Sequence, residues 1–121
     1  MTKEVLAFID NQLSTSNINY EFGEWTSEVV YPYFVGEYSE IESMTEDGLQ
    51  ETDFILNGFS RGKWIDLENA RQTIENLFNI TTILNNIGVV VLYSGSLVVP
   101  TGDAELKRIQ INLRVKEWKV K

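Results

Sequence analysis

The chain has 121 residues, enough for one domain with its own apolar core and no need of disulfides or metal. Its 43% hydrophobic and 23% charged residues are globular proportions and exclude wholesale disorder. It contains neither Cys nor His, which removes thiol chemistry, the usual general base near neutral pH and the commonest metal ligand.

Residues 3–14 place Val5, Leu6, Ile9 and Leu13 on one stripe, which predicts a short amphipathic helix. Glu4 and Asp10 interrupt the apolar pattern, so this is not a signal peptide. "STSNINY" reads as a polar linker. Aromatic and β-branched residues from Glu28 to Tyr38 predict a strand, with Pro32 at its start, a bulge or an edge. Asp47-Gly48 is the strongest turn dipeptide. A hairpin folded about it sets Ile41 opposite Phe54 and Ser39 opposite Leu56, and opposes Glu42 to Asp53 at a cost in like charge.

"IDLENARQTIENLFN" predicts a helix over 66–79. Asp66 is its expected N-cap, and Leu67, Ala70, Ile74, Leu77 and Phe78 form its apolar stripe. Trp64 is expected to anchor its start in the core, and Arg71 to pair with Glu75. "NITTILNNIG" reads as a loop or a fraying helix end, and "VVVLYSGSLVV" as a buried strand. Ile109, Ile111, Leu113 and Val115 alternate with basic and polar residues, which predicts a half-buried strand. The expected fold is α+β: an antiparallel-rich sheet with helices packed on one face, in the order α-β-β-α-β-β. The longest apolar run, "VVVLY", is strand-sized, so no membrane-spanning helix is expected and the protein should be soluble and intracellular when made.

The net charge of −8 is unevenly distributed. Residues 4–60 hold twelve acids and no Lys or Arg, whereas residues 61–121 hold nine bases and six acids. Net acidity argues against wrapping by nucleic acid, which is driven by cation–phosphate contacts. A solubilising surface is the plain reading; the sharper one is that the acidic half of one copy meets the basic end of the next. The candidate contact residues are Glu40, Glu42, Glu46 and Asp47 on one side and Arg108, Arg114 and Lys116 on the other.

No motif carries chemistry. Seven carboxylates lie between Glu37 and Asp53, but on a polar arm without the paired environments that a hydrolase needs. "TEDGLQETD" lacks EF-hand spacing, and "GFSRGKW" lacks the P-loop signature. Hence no catalytic residue, cofactor site or metal site is predicted, and the chain is not read as an enzyme.

The segment "YPYFVGEYSEIESMTEDGLQETDFILNGFSRGKWIDLE", residues 31–68, resembles small structural proteins of the head-and-tail gene modules of long-tailed phages and prophages. Its Tyr-Pro, Gly-Glu-Tyr, Glu-Asp-Gly and Arg-Gly-x-Trp elements, in that order before a helix, carry the resemblance. Length, the missing Cys and His, and the expected element order are similar to the tail terminator, or tail completion, group. The resemblance implies one such domain over residues 1–121, an α+β fold and a hexameric ring at the head-proximal end of the tail tube. It also implies contact with the major tail tube protein and a head completion protein, with DNA as passing cargo and no membrane. The implied location is the host cytoplasm during assembly and then the virion tail. A ring repeats one heterologous interface, so an acidic arm and a basic strand suit it. The alternative is an acidic DNA mimic that blocks a basic cleft on a host or defence protein.

Overall fold

The computed structural model describes residues 1–41 and 48–119, and the side chains of all of these except Ile41 and Lys119. The chain is of mixed α+β class, with two helices and a six-stranded sheet. The elements run α1 (Lys3–Thr15), β1 (Tyr20–Phe22), β2 (Tyr33–Ile41), β3 (Gln50–Arg61), α2 (Trp64–Leu77), β4 (Asn79–Leu84), β5 (Ile87–Val99) and β6 (Leu106–Lys119). Across the sheet the strand order is β1-β2-β3-β6-β5-β4. β1 runs parallel to β2, and the other four ladders are antiparallel.

The expected order therefore lacked two strands, β1 and β4. β4 forms where a loop or a frayed helix end was expected. Ile80, Thr82 and Leu84 are half-buried in alternation, and the chain turns back through Asn85 and Asn86, both at positive φ (48° and 65°). Two consecutive left-handed residues match the twist of a tight hairpin, and Asn tolerates that conformation better than most residues. β1 comes from the polar linker; three residues are too few to show a period.

α1 begins where the stripe predicts. Thr2 is its N-cap, accepting from the Val5 N–H at 3.4 Å, while Val5, Ile9 and Leu13 are buried. α2 starts two residues earlier than expected. Its N-cap position is Lys63, with no side-chain cap, so Asp66 lies inside the first turn and favours the helix through its charge near the positive end of the dipole. Trp64 is not a core anchor: it is 42% exposed, with the Lys107 ammonium 5.8 Å from its ring centroid.

One apolar cluster joins both helices to the sheet. It draws on Val5, Ile9 and Leu13 of α1, Leu67, Ala70 and Ile74 of α2, and alternate positions of β2, β3, β5 and β6. Ile109, Ile111, Leu113 and Val115 enter it as their alternation predicts. The β2–β3 register differs from expectation: Ile41 faces Glu51 rather than Phe54, a shift of three residues. Ser39 accordingly faces Asp53, and the positions opposite Phe54 and Leu56 are Tyr38 and Gly36. An odd shift exchanges the two faces of a strand, and burial of Phe34 decides between them. Its ring lies over Gly58, directly opposite on β3, where any Cβ would collide with it. Gly88 and Trp118 make the same kind of pair across β5 and β6. Strand β2 also begins later than predicted, at Tyr33, leaving Val29 and Val30 exposed in the preceding loop.

Candidate functional site

The residues alternating with the core positions form the sheet's other face, and Arg108, Arg114 and Lys116 of β6 belong to it. Arg114 Nε donates to Asp53 Oδ1 at 2.8 Å, and its Nη1 to Glu51 Oε2 at 3.1 Å. Lys116 lies directly opposite Glu51 in the β3–β6 register. Arg108 Nη2 donates to Asn57 Oδ1 at 2.9 Å, and its guanidinium sits 5.7 Å from the centroid of the Phe59 ring. Thus three of the expected contact residues, Arg108, Arg114 and Lys116, lie on one face of β6, with Arg108 six residues from Arg114 along the strand. The acids that Arg114 meets within the chain, Glu51 and Asp53, were not among those expected.

Glu40 is not on this face. It alternates with Phe34 and Gly36 on the core-facing register of β2, beyond the end of the buried stretch, and its carboxylate pairs with the Met1 amino group. Glu42, Glu46 and Asp47 lie outside the described residues. Near Glu40, the buried Glu117 carboxylate accepts from the Thr2 N–H at 3.0 Å and from the Thr2 hydroxyl at 2.8 Å. This ties the start of α1 to β6.

An aromatic ladder that sequence reasoning did not assemble continues from Arg108. Phe59 stacks on Tyr33 at 5.2 Å; Tyr33 in turn contacts Trp25 at 4.8 Å and Tyr31 at 5.6 Å. Burial, and then Tyr31, raise the Tyr33 hydroxyl above the usual tyrosine range. The Tyr31 hydroxyl accepts from Arg61 Nε at 3.3 Å. The signal available was the density of aromatics around Tyr31–Phe34; the partner Phe59 required the register. The loop carrying Trp25 is held by Glu21, which accepts from the Thr26 hydroxyl at 2.6 Å and from the Ser27 N–H at 3.2 Å. Those bonds, the Thr26 hydroxyl first, hold the Glu21 carboxyl below its ordinary range.

No group of three or more His, Cys, Asp or Glu among the described residues could hold a metal. A shallow groove of about 490 Å³ between α1 and β1 is lined by Leu6, Asp10, Tyr20, Glu21 and Phe22, and Glu21 is already engaged by the loop. No helix among the described residues is long and apolar enough to cross a membrane.

What stands out instead is apolar surface at both margins of the sheet. At the β1–β2 margin Phe22 is 45% exposed and stacks on Tyr38, itself exposed, at 5.8 Å. At the β4–β5 margin Ile83 of β4 is 64% exposed, and toward the far end of β5 Val98 is 59% exposed with Leu97 exposed next to it in the chain. Compared with known proteins, the chain matches no protein-family model and no curated protein.

Proposed function

We propose that this chain is a structural assembly protein, the ring-forming tail terminator of a long-tailed phage or prophage. The observation that carries the reading is the pair of unlike apolar margins on one sheet: Phe22 and Tyr38 at one, Ile83, Leu97 and Val98 at the other. A ring built by repeating one heterologous contact needs two different, complementary surfaces on each copy. In this reading the sheet is antiparallel-rich with both helices on one face, so neighbouring copies meet at its edges. The resemblance over residues 31–68 supplies the tail, the hexamer and the partners: the tail tube protein below, a head completion protein above, and DNA passing through. Contact between Glu40, Glu42, Glu46 or Asp47 and the basic strand of the next copy is a separate expectation, since β6 lies inside the sheet between β3 and β5 rather than at an edge. Arg114 enters it already engaged by Glu51 and Asp53.

The DNA-mimic reading draws on the same acids but is weaker. Arg114 occupies Glu51 and Asp53, and mimicry of phosphate needs carboxylates left free for a basic cleft.

Mass measurement and electron microscopy test the proposal. The expected result is a six-fold ring with six times the 13.9 kDa mass of the chain, formed alone or on purified tail tubes. A chain that remains monomeric with tail tubes present, and binds a basic nuclease instead, would overturn it.

A further inference from the structure

The two margins of the sheet are stepped, and the steps match. On one side β1 covers only Phe34–Gly36 of β2, and among the described residues no strand pairs with the same side of Glu37–Ile41. On the other side β4 covers only Ile87–Leu92 of β5, and among the described residues no strand pairs with the outer side of Tyr93–Val99. Register carried across the sheet sets Phe34–Gly36 level with Ser96–Val98, through Gly58–Leu56 and Ile109–Ile111. It sets Ser39–Ile41 level with Leu92–Val90, and therefore with Asn79–Thr81 of β4. One margin protrudes where the other is recessed.

Strand direction fits as well. From β2 through β3 and β6 to β5 there are three antiparallel steps, so β5 runs opposite to β2 and to β1. A second copy related by rotation about an axis along the strands keeps both strand direction and facing. Its β1 then lies antiparallel beside Ser96–Val98, and its Ser39–Ile41 lie beside β4. Phe22 falls on the same face as Ser96 and Val98 and covers them. Unlike protected edges, the segment from Ile87 to Pro100 holds no charged residue, and its only proline is at the end.

We propose that these two margins interlock between copies, so that the sheet continues from one copy into the next. The occupant of the recess beside Ser96–Val98 is β1 of a second copy. This inference rests on the self-assembly reading and names the joint that makes the contact.

Because the chain has no cysteine, disulfide trapping reads the joint directly. Ser39 and Asn79 are both exposed, level with each other and on the same face. A chain carrying Ser39→Cys and Asn79→Cys should give a ladder of linked copies on mild oxidation. A chain carrying Ser39→Cys and Gln72→Cys, with the second thiol on the exposed side of α2, should give no ladder. Val98→Lys should lower the assembled fraction at least tenfold while the circular dichroism spectrum and melting curve keep their shape. Rings of the expected mass that give no Ser39–Asn79 link and ignore Val98→Lys would overturn the joint and leave the ring reading standing. Monomers at every concentration, with or without tail tubes, would overturn both.

Discussion

Arg114 and Asp53 stand directly opposite each other on β6 and β3, and Arg114 Nε donates to the Asp53 carboxylate across 2.8 Å. The acidic and basic halves of the sequence thus meet inside a single copy. Both side chains are over a third exposed, which places the pair among surface ion pairs. A double-mutant cycle with Arg114→Ala and Asp53→Ala should give a coupling of about 0.2–1 kcal/mol that shrinks as salt is added. A coupling above about 3 kcal/mol would mean that the pair is shielded from solvent.

Gly58 lies beneath the buried Phe34 ring. Gly58→Ala should displace that ring and destabilise the fold by about 1–3 kcal/mol, the usual cost of overpacking a full core. Gly102→Ala is a useful contrast, since the added Cβ meets nothing within 4 Å and only the positive φ of 80° opposes it. Chemical denaturation of the two variants separates crowding from backbone strain. No loss from Gly58→Ala would show that Phe34 yields without cost.

Ile74 and Leu113 approach the same core from α2 and β6, and both are almost wholly buried. Truncating either to Ala should cost about 2–5 kcal/mol, the spread reflecting how far the neighbours close the cavity. Losses below about 1 kcal/mol in urea unfolding would contradict their burial.

Glu117 holds Thr2, and Thr2 caps α1. Glu117→Ala leaves two donors without their acceptor and should cost about 1–3 kcal/mol. The loss should concentrate in α1, where hydrogen exchange at Val5 and Leu6 should accelerate more than exchange at Leu113. Uniform acceleration across the chain would place the role of Glu117 elsewhere.

Tyr20 connects stability to alkaline pH. Burial first, and Asp10 second, push its hydroxyl well above the ordinary value of about 10. The unfolded chain therefore ionises at this position first. The contribution is intact below about pH 10 and is lost as pH rises from there toward the folded value. Tyr20→Phe should flatten that part of the stability curve without changing its slope near pH 7. An unchanged alkaline slope would assign the loss to other groups.

Local pattern alone determined several features. The apolar stripe over residues 3–14, the stripe of α2 and the inward set Ile109, Ile111, Leu113 and Val115 follow from period 3.6 and period 2, which a single segment displays by itself. β4 had a readable signal in Asn85-Asn86, but its polar Thr and Asn residues masked the alternation. The start of α2 was misplaced because Asp66 has the chemistry of a cap, while Gly62 at positive φ and the β3 exit put the first turn earlier. Tertiary structure decided the rest. The β2–β3 register turns on which face buries Phe34, and on Gly58 leaving room for its ring from the neighbouring strand. Likewise Arg114 meets Asp53 and Glu51 because β6 inserts beside β3, 61 residues away from Asp53 in the chain. The stepped margins depend on all five ladders at once. Such relations lie between segments distant in the chain, and only the packing of the whole sheet selects among the registers that each segment allows.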